Sequence, residues 1–277
     1  MLKKFSTVII HFFYSLFNQI QERSKTSNSI RINLNVFRAN SGNWAIYKEL
    51  SLQSANAFPL QLCRLAHADE ISNLISIDFD DNSDIDYGML DDLFSRFGSD
   101  KGLHGYSPAY WHILKSIPSN STIIEIGVGT NKPGRISSMG AFGHPCASLR
   151  VWNSMMPEAI IYGCDIEVDF DLQFTDVKLL QLNQLDLAHW NNLSEFFGPE
   201  SVDLLIDDGL HTTEANINSL MFALKSLKAG GFFVIEDVRD ETLVVWNYVA
   251  SIKACSDFKF SRFRGKTNNL IIVRRKV

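Results

Sequence analysis

The sequence predicts a doubly wound α/β fold, in which helices cover both faces of a mostly parallel sheet. Short apolar runs rich in β-branched residues alternate with helical segments in the second half of the chain. A glycine turn follows the first of these runs, and acidic residues follow the others. Sheets of this kind bind ligands at the carboxyl ends of their strands, so these acidic residues are candidate site residues.

The segment before the first core strand is predicted to form helices over residues 89–97 and 108–117. Pro108 suits the first turn of the second helix, with Ser107 as its cap. The loop between them, residues 98–106, carries Asp, Lys, His and Tyr among three glycines. We call it the DKG loop. The sequence predicts a lid or an edge of a ligand pocket here, with a polar connecting turn as the alternative.

The first core strand and its turn lie in residues 122–130, TIIEIGVGT. The isoleucines suit a central strand that is covered on both faces. Gly127 and Gly129 would let the backbone turn sharply and would let a ligand approach where a Cβ atom would clash. The third glycine of the dinucleotide fingerprint is absent, and Glu125 would repel a pyrophosphate. The turn therefore indicates a ligand with a cationic group, and a plain connecting turn is the alternative.

The next segment, residues 131–147, is punctuated by Gly and Pro. Most βα loops span about 2–6 residues, so we expect a loop of this length to have a functional role. A helix is then predicted to begin near Ala147.

Strands are predicted next at residues 159–164 and 177–182, and an aspartate follows each of them. Asp165 could accept hydrogen bonds from both hydroxyls of a ribose, and Asp186 could accept one from an adenine amino group. Aspartate is also a common helix N-cap, so capping is the alternative for each residue. Together with Glu125, these acids predict a pocket for a nucleoside with a cationic tail.

A second acidic cluster follows the strands predicted at residues 202–206 and 232–235. Oxygen ligands from neighbouring carboxylates favour a hard divalent ion such as Mg²⁺. A histidine imidazole titrates near neutral pH and is suited to accept the proton of a hydroxyl. The alternative is a set of caps and surface carboxylates without metal, although burying two unpaired adjacent charges is costly. The cluster consists of Asp207, Asp208, His211, Glu236 and Asp237.

The remaining elements complete the predicted sheet. A helix over residues 214–227 is expected to end at Gly230 and Gly231, which resemble a C-cap. A further helix is predicted over residues 243–254. Residues 258–263 and 270–273 are predicted to close the fold as an antiparallel hairpin.

The first third of the chain is predicted to be a mainly helical extension, residues 1–88, followed by the core domain, residues 89–277. Short helices are predicted within it, including one or more over residues 59–77. The aspartate-rich stretch at residues 78–86 reads as a solvated loop and marks the domain boundary.

Residues 2–20 show an amphipathic helical pattern with a phenylalanine-rich face. We expect this face to pack on its own domain or on a second subunit, which would make the protein a homo-oligomer. Peripheral membrane contact is the alternative, although the segment carries few cations for anionic lipid. A signal peptide is disfavoured because no small-residue cleavage site follows the basic start.

Composition excludes several classes of function. A net charge of -5 argues against a nucleic-acid partner, which would require a basic patch. The four cysteines are scattered without a C-x-x-C pair, which favours free thiols in a reducing compartment, and we expect a cytoplasmic protein. No stretch reaches the ~18 apolar residues of a membrane span.

Several motifs together resemble the metal-dependent sugar O-methyltransferases, such as the mycinamicin-type macrolide deoxysugar enzymes. These are DKG with HGY in the DKG loop, EIGVGT, ASLR, IYGCDIE, IDDGLHT and LKAGGFFVIEDV. The acidic-x-Gly-x-Gly turn also resembles the first motif of class I S-adenosylmethionine (SAM) methyltransferases. The resemblance implies a seven-stranded Rossmann-like methyltransferase sheet, SAM and Mg²⁺ as cofactors, and a small-molecule or glycan acceptor.

The resemblance also implies roles for individual residues. Asp208, Glu236 and Asp237 would bind Mg²⁺, and His211 would be the catalytic base. A hydroxylase-like member of the superfamily and a non-catalytic SAM-binding protein are the alternative functions. The predicted cofactor site consists of Glu125, Gly127, Gly129, Thr130, Tyr106, Asp165, Ile166, Asp186 and Asp207.

Overall fold

The structure is a computed structural model that describes residues 75–77, 87–168 and 177–277 of the 277-residue chain. The predicted N-terminal helix over residues 2–20 lies outside the described residues, as does the predicted boundary loop at residues 78–86. Residues 75–77 were expected at the end of a helix, but they form a strand that pairs with the last hairpin. Among the described residues, no helix is long and apolar enough to cross a membrane.

Eight strands of the described residues form one sheet in the order β1-β7-β8-β6-β5-β2-β3-β4. Seven of them are the predicted strands, and β1 is an addition at the edge. All neighbouring strands pair in parallel except β8, which is antiparallel to both β6 and β7. The strands are β1 (Ile75–Ile77), β2 (Thr122–Ile126), β3 (Ile160–Asp165), β4 (Val177–Gln181), β5 (Val202–Asp207), β6 (Leu227–Val238), β7 (Phe258–Arg264) and β8 (Asn269–Arg275).

Five α-helices of the described residues lie where helices were predicted, and the helix Leu187–Phe197, between β4 and β5, is an addition. Two short 3₁₀ helices, Asp240–Thr242 and Lys253–Cys255, flank the last of them. The α-helices are α1 (Gly88–Phe97), α2 (Ser107–Ser116), α3 (Ala147–Met155), α4 (Leu187–Phe197), α5 (Thr213–Ser226) and α6 (Leu243–Ser251).

Strand β2 lies inside the sheet, between β5 and β3, and is buried on both faces. Ile124 and Ile126 pack into one core cluster, whereas Ile123 packs into the other. Successive side chains of a strand point to opposite faces, which explains this division. The isoleucine-rich sequence therefore serves two cores at once, as expected for a doubly wound sheet.

The end of α5 differs from the prediction. The helix ends at Ser226, and β6 begins directly at Leu227, so Gly230 and Gly231 lie within the strand instead of capping the helix. A Cβ atom on Gly231 would lie 3.0–3.2 Å from three backbone oxygens, including that of Asp203 in β5. Close strand packing at the irregular start of the β5–β6 pair therefore favours glycine at this position.

Candidate active site

The candidate site lies at the carboxyl ends of β2, β5 and β6, which are neighbours in the sheet. This is the edge where α/β sheets bind ligands. Three polypeptide segments far apart in the sequence meet there. They are the DKG loop, the IDDGLH turn (residues 206–211) at the end of β5, and Glu236 with Asp237 at the end of β6.

The glycine turn after β2 is confirmed as a sharp left-handed turn, with φ of 90° at Gly127 and 75° at Gly129. Its glycines, however, accommodate other parts of the chain. A Cβ atom on Gly127 would overlap the backbone carbonyl of Asp208 and lie 2.6 Å from the Cα of Gly209. A Cβ atom on Gly129 would lie 2.8 Å from the Cγ of Met139. The turn thus holds the IDDGLH segment against β2.

Glu125 is fully buried, and protein groups engage both of its carboxylate oxygens. Ser148 Oγ donates to Oε1 at 2.7 Å, and the indole Nε1 of Trp152 donates to Oε2. Lys101 Nζ lies 3.2 Å from Oε1. The carboxylate therefore anchors α3 and the DKG loop to β2. Its predicted contact with a cofactor stays a prediction.

Asp165 at the end of β3 accepts hydrogen bonds from the backbone of the glycine turn and of its own loop. Gly129 N donates to Oδ2 at 2.9 Å, and Glu167 N donates to Oδ1 at 3.1 Å. Each oxygen retains a lone pair that a ribose hydroxyl could use. Two further residues predicted to bind the cofactor, Ile166 and Thr130, make hydrogen bonds within the protein. Ile166 O accepts a hydrogen bond from Gln181, and Thr130 Oγ1 accepts one from Lys132 N.

Two other predicted cofactor residues have protein partners. Asp186 caps α4, because its side chain accepts a hydrogen bond from Ala188 N at 2.9 Å. Asp207 is fully buried and accepts from Gln184 Nε2 at 2.7 Å and from Asn216 Nδ2 at 2.9 Å. Asp186 therefore has the alternative role given for it above, that of a helix N-cap. Asp207 instead fixes the base of the IDDGLH turn.

Lys101 of the DKG loop is the centre of the acidic cluster. Its side chain is 2% exposed, and its Nζ lies 2.6 Å from Asp208 Oδ2 and 2.7 Å from Glu236 Oε1. Together with Glu125, three carboxylates from three adjacent strands share this one cation. Burial opposes the charge of Lys101, but the three carboxylates outweigh burial and raise its pKa well above the usual value.

The carboxylates respond to this crowding in different directions. Burial raises the pKa of Asp208 to about 6, against the opposing effects of Lys101 and His211. Burial and the nearby Asp208 also raise the pKa of Glu236, to which Tyr110 donates a hydrogen bond. For Asp237, burial would raise the pKa, but His211 and the hydrogen bond from Tyr106 outweigh it and lower the pKa.

Asp237 is held at one oxygen by groups from two different loops. Tyr106 OH donates to Oδ1 at 2.9 Å and Asn268 Nδ2 donates to the same atom at 3.2 Å. His104 Nδ1 lies 3.3 Å away. Tyr106, predicted to bind the cofactor, is fully buried and reaches the acidic cluster through its hydroxyl.

His211 and Asp237 both adopt left-handed backbone conformations, with φ of 53° and 55°. Such conformations are uncommon for residues other than glycine. They persist only where the surrounding structure enforces them, and they cluster at functional sites. His211 Nε2 lies 3.8 Å from Asp208 Oδ1. Its Nδ1 is buried, and no hydrogen-bond partner for that atom is found among the described residues.

Ligand atoms of Asp208, His211 and Asp237 all lie within 4.8 Å of one another. Two carboxylates and an imidazole form a donor set that suits a divalent cation, and the unsatisfied Nδ1 of His211 is consistent with a missing partner. Of the predicted ligands, Asp208 and Asp237 therefore converge. Glu236 lies beside them, with its Oε1 taken up by Lys101 and Tyr110.

Sequence reasoning did not assign several residues that shape this site. Lys101 lies in the DKG loop, whose polar composition was noted from the sequence. That composition was the only indication in the sequence that Lys101 belongs to the site. Tyr110 matches the apolar face of its helix and gave no signal. Ser148 belongs to the ASLR motif and Trp152 follows it, but neither was given a role. The residues missed are Lys101, Tyr110, Ser148, Trp152 and Asn268.

Known proteins resemble this chain over part of its length, although no protein-family model matches it. The 8-demethyl-8-alpha-L-rhamnosyl tetracenomycin-C 2'-O-methyltransferase of Streptomyces olivaceus is 31% identical over 152 residues, which are 53% of this chain and 37% of that protein. The mycinamicin VI 2''-O-methyltransferase of Micromonospora griseorubida is 30% identical over 155 residues, covering 54% and 36%. The chain thus spans little more than a third of the length of these relatives.

Solved structures share the fold. The MycE methyltransferase from the mycinamycin biosynthetic pathway, in complex with Mg and SAH (crystal form 1), matches with a TM-score of 0.56 at 23% identity. The match covers 68% of this chain and 54% of that chain. The complex of MycE with Mg, SAH and mycinamycin VI gives a TM-score of 0.53 at the same identity and coverage. The chain therefore has the Rossmann-like methyltransferase fold, and its sequence resembles the sugar O-methyltransferases.

Proposed function

We propose that this chain is a SAM- and Mg²⁺-dependent O-methyltransferase that acts on a hydroxyl of a sugar, in a glycosylated natural product or a polysaccharide. The observation that carries this proposal is the convergence of Asp208, His211 and Asp237 at the carboxyl edge of a methyltransferase fold. The names of the relatives support the reaction, since both are O-methyltransferases and the first is named for a rhamnosyl tetracenomycin.

SAM would bind along the carboxyl ends of β2 and β3, beside the glycine turn. Asp165 is the protein group best suited to the ribose, because its carboxylate is fixed by two backbone N–H groups and retains lone pairs. Gly127 and Gly129, which have positive φ, form the turn beside Asp165. When bound, SAM supplies the methyl group.

A divalent cation would be held by Asp208 and Asp237, with Glu236 as a third carboxylate at the same edge. When bound, such a cation lowers the pKa of an acceptor hydroxyl. The fit rests on the convergence of the Asp208 and Asp237 carboxylates beside His211. Asp208 and Asp237 each have one oxygen engaged by a donor from the DKG loop.

We assign His211 as the general base that accepts the proton of the acceptor hydroxyl. Its imidazole is partly exposed, and Nε2 lies beside Asp208, where an acceptor hydroxyl would have to sit. The left-handed backbone conformation at His211 and the tight packing of Gly127 against Asp208 fix this ring relative to the acids. Methyl transfer depends chiefly on such positioning, because it brings the two reacting groups together in a fixed orientation.

Methyl transfer from radiolabelled SAM to a panel of rhamnosylated and other deoxysugar glycosides tests the proposal. We expect label in at least one acceptor, its loss in EDTA, and its return on addition of Mg²⁺. Label transfer that continues undiminished in EDTA would remove the metal from the reaction. Binding of SAM with transfer only to non-sugar acceptors would contradict the proposed substrate class.

A further inference from the structure

The DKG loop, residues 98–106, supplies a donor to every carboxylate of the proposed metal site. Lys101 Nζ contacts Asp208 Oδ2 at 2.6 Å and Glu236 Oε1 at 2.7 Å. Tyr106 OH donates to Asp237 Oδ1 at 2.9 Å. A segment of nine residues therefore reaches acids at the carboxyl ends of two different strands, more than 100 residues later in the chain.

Each of these contacts uses one oxygen of its carboxylate. The other oxygen of Asp208, Oδ1, lies 3.8 Å from His211 Nε2. Within the part of the chain that the structure describes, no hydrogen bond reaches Oε2 of Glu236 or Oδ2 of Asp237. One oxygen of each acid is thus held by protein, and one is left for a ligand.

We propose that Lys101 and Tyr106 are positioning residues, which fix the acids of the cation site in the orientation that binding requires. This inference rests on the proposed function and extends it to residues outside the ligand set. Ligating carboxylates are usually oriented by hydrogen bonds from such outer residues, and loss of one typically lowers metal affinity about 10–100-fold.

The loop is held in place by burial and by backbone hydrogen bonds. Lys101 is 1% exposed and Tyr106 is fully buried. Backbone hydrogen bonds close the loop on itself, since Tyr106 N donates to Lys101 O at 3.0 Å. The turn between β7 and β8 clamps it from outside, because Lys266 N donates to His104 O at 2.8 Å. A Cβ atom on Gly265 would collide with the ring and backbone of the loop, so the two turns are in close contact.

The substitution Tyr106→Phe isolates the hydroxyl, because it keeps the buried ring and the charge of the site. With Mn²⁺ alone as the probe, we expect its Kd to rise roughly tenfold in this variant. Tyr248→Phe makes the same chemical change on α6, at a hydroxyl for which no contact with the three acids is found among the described residues, and should leave the Kd unchanged. Affinity for SAH, measured separately, should stay within about threefold of the wild-type value, because the hydroxyl contacts Asp237.

The substitution Lys101→Met distinguishes positioning from simple charge. A lysine that acted only as a nearby charge would repel Mn²⁺, so that its removal would tighten binding. Positioning of Asp208 and Glu236 predicts the opposite, a Kd about 10–100-fold higher. Lys228→Met is the matched control, since Lys228 pairs with Asp203 at the amino ends of the strands. If Lys101→Met does not fold, Tyr106→Phe decides the question.

The outcomes separate this inference from the proposed function. Wild-type protein that binds no Mn²⁺ would overturn the metal site and the inference together. If the Tyr106→Phe and Lys101→Met variants both bind Mn²⁺ as tightly as the wild-type protein does, the inference alone is overturned. Loss of SAH affinity in Tyr106→Phe with an unchanged Kd for Mn²⁺ would assign Tyr106 to the cofactor pocket and also overturn it.

Discussion

His211 combines two properties that are costly for a residue without a function. Its backbone is left-handed, and its Nδ1 is buried without a described partner. Each of these is destabilising or strained on its own. Their coincidence at one residue supports its assignment as the group that handles the acceptor's proton.

Replacing His211 tests that assignment. We predict that His211→Asn lowers turnover by about 10²–10⁴-fold, the usual loss when a general base is removed. Asparagine is chosen because it tolerates the left-handed conformation better than alanine. Affinities for SAH and Mn²⁺, measured by calorimetry, should change little. A loss of Mn²⁺ binding in this variant would make His211 a ligand and not the base.

The raised pKa of Asp208 predicts a pH dependence of cation binding. A carboxylate must lose its proton to bind metal, and burial raises the pKa of Asp208 to about 6, so Asp208 becomes mostly protonated below that pH. Below that pH the proton competes with the cation, so affinity for Mn²⁺ should fall by up to about tenfold per pH unit. Titrations at pH 5 and pH 7 check this, and equal affinities would contradict it.

Residues at strand ends were predictable, whereas their partners were not. Asp208 and Asp237 follow directly from apolar runs that read as strands, and parallel strands bring their ends to one edge. Lys101 lies 107 residues from Asp208. Nothing in a local pattern connects residues so far apart, and for the same reason the sequence could not show that Glu125 is engaged by Ser148 and Trp152.

At the scale of elements, the glycine turn connects the proposed SAM site with the acidic cluster, since it packs β2 against the IDDGLH turn. We predict that Gly127→Ala destabilises the protein by about 1–3 kcal/mol more than Gly134→Ala does. Both glycines have positive φ, but a Cβ atom on Gly134 meets nothing within 4 Å. Gly134→Ala therefore reports the cost of the backbone conformation alone.

Chemical denaturation of the two glycine variants measures this difference. The Gly127 variant should also lose affinity for both SAH and Mn²⁺, because its clash falls on the backbone of Asp208. Equal stabilities of the two variants would show that the packing at Gly127 is dispensable.

Element boundaries were less predictable than element types. The helical pattern of α5 runs into β6 without a break, and its two glycines follow a helix as a C-cap would. Only the neighbouring strand β5 shows why a glycine is needed at position 231. Strand β1 is three residues long, too short for a periodic pattern, so its place at the sheet edge could not be predicted.

At the scale of the whole molecule, the described site residues lie between Lys101 and Asn268. We propose that the amphipathic helix predicted over residues 2–20 serves assembly. Deletion of residues 2–20 should reduce the oligomeric mass in light scattering or lower solubility, because an exposed apolar face of that size is a liability. Affinity for SAH should be unchanged. Liposome binding that disappears on deletion would favour the membrane alternative.

The central claim is that a cation and SAM bind side by side at the carboxyl edge of this sheet. Its most direct test is the relaxation of the S-methyl protons of bound SAM by Mn²⁺, which needs no acceptor. We predict strong relaxation in wild-type protein and its loss when Asp208 and Asp237 are both replaced by asparagine. Bound SAM whose methyl protons do not respond to Mn²⁺, or respond equally in the double variant, would contradict the account.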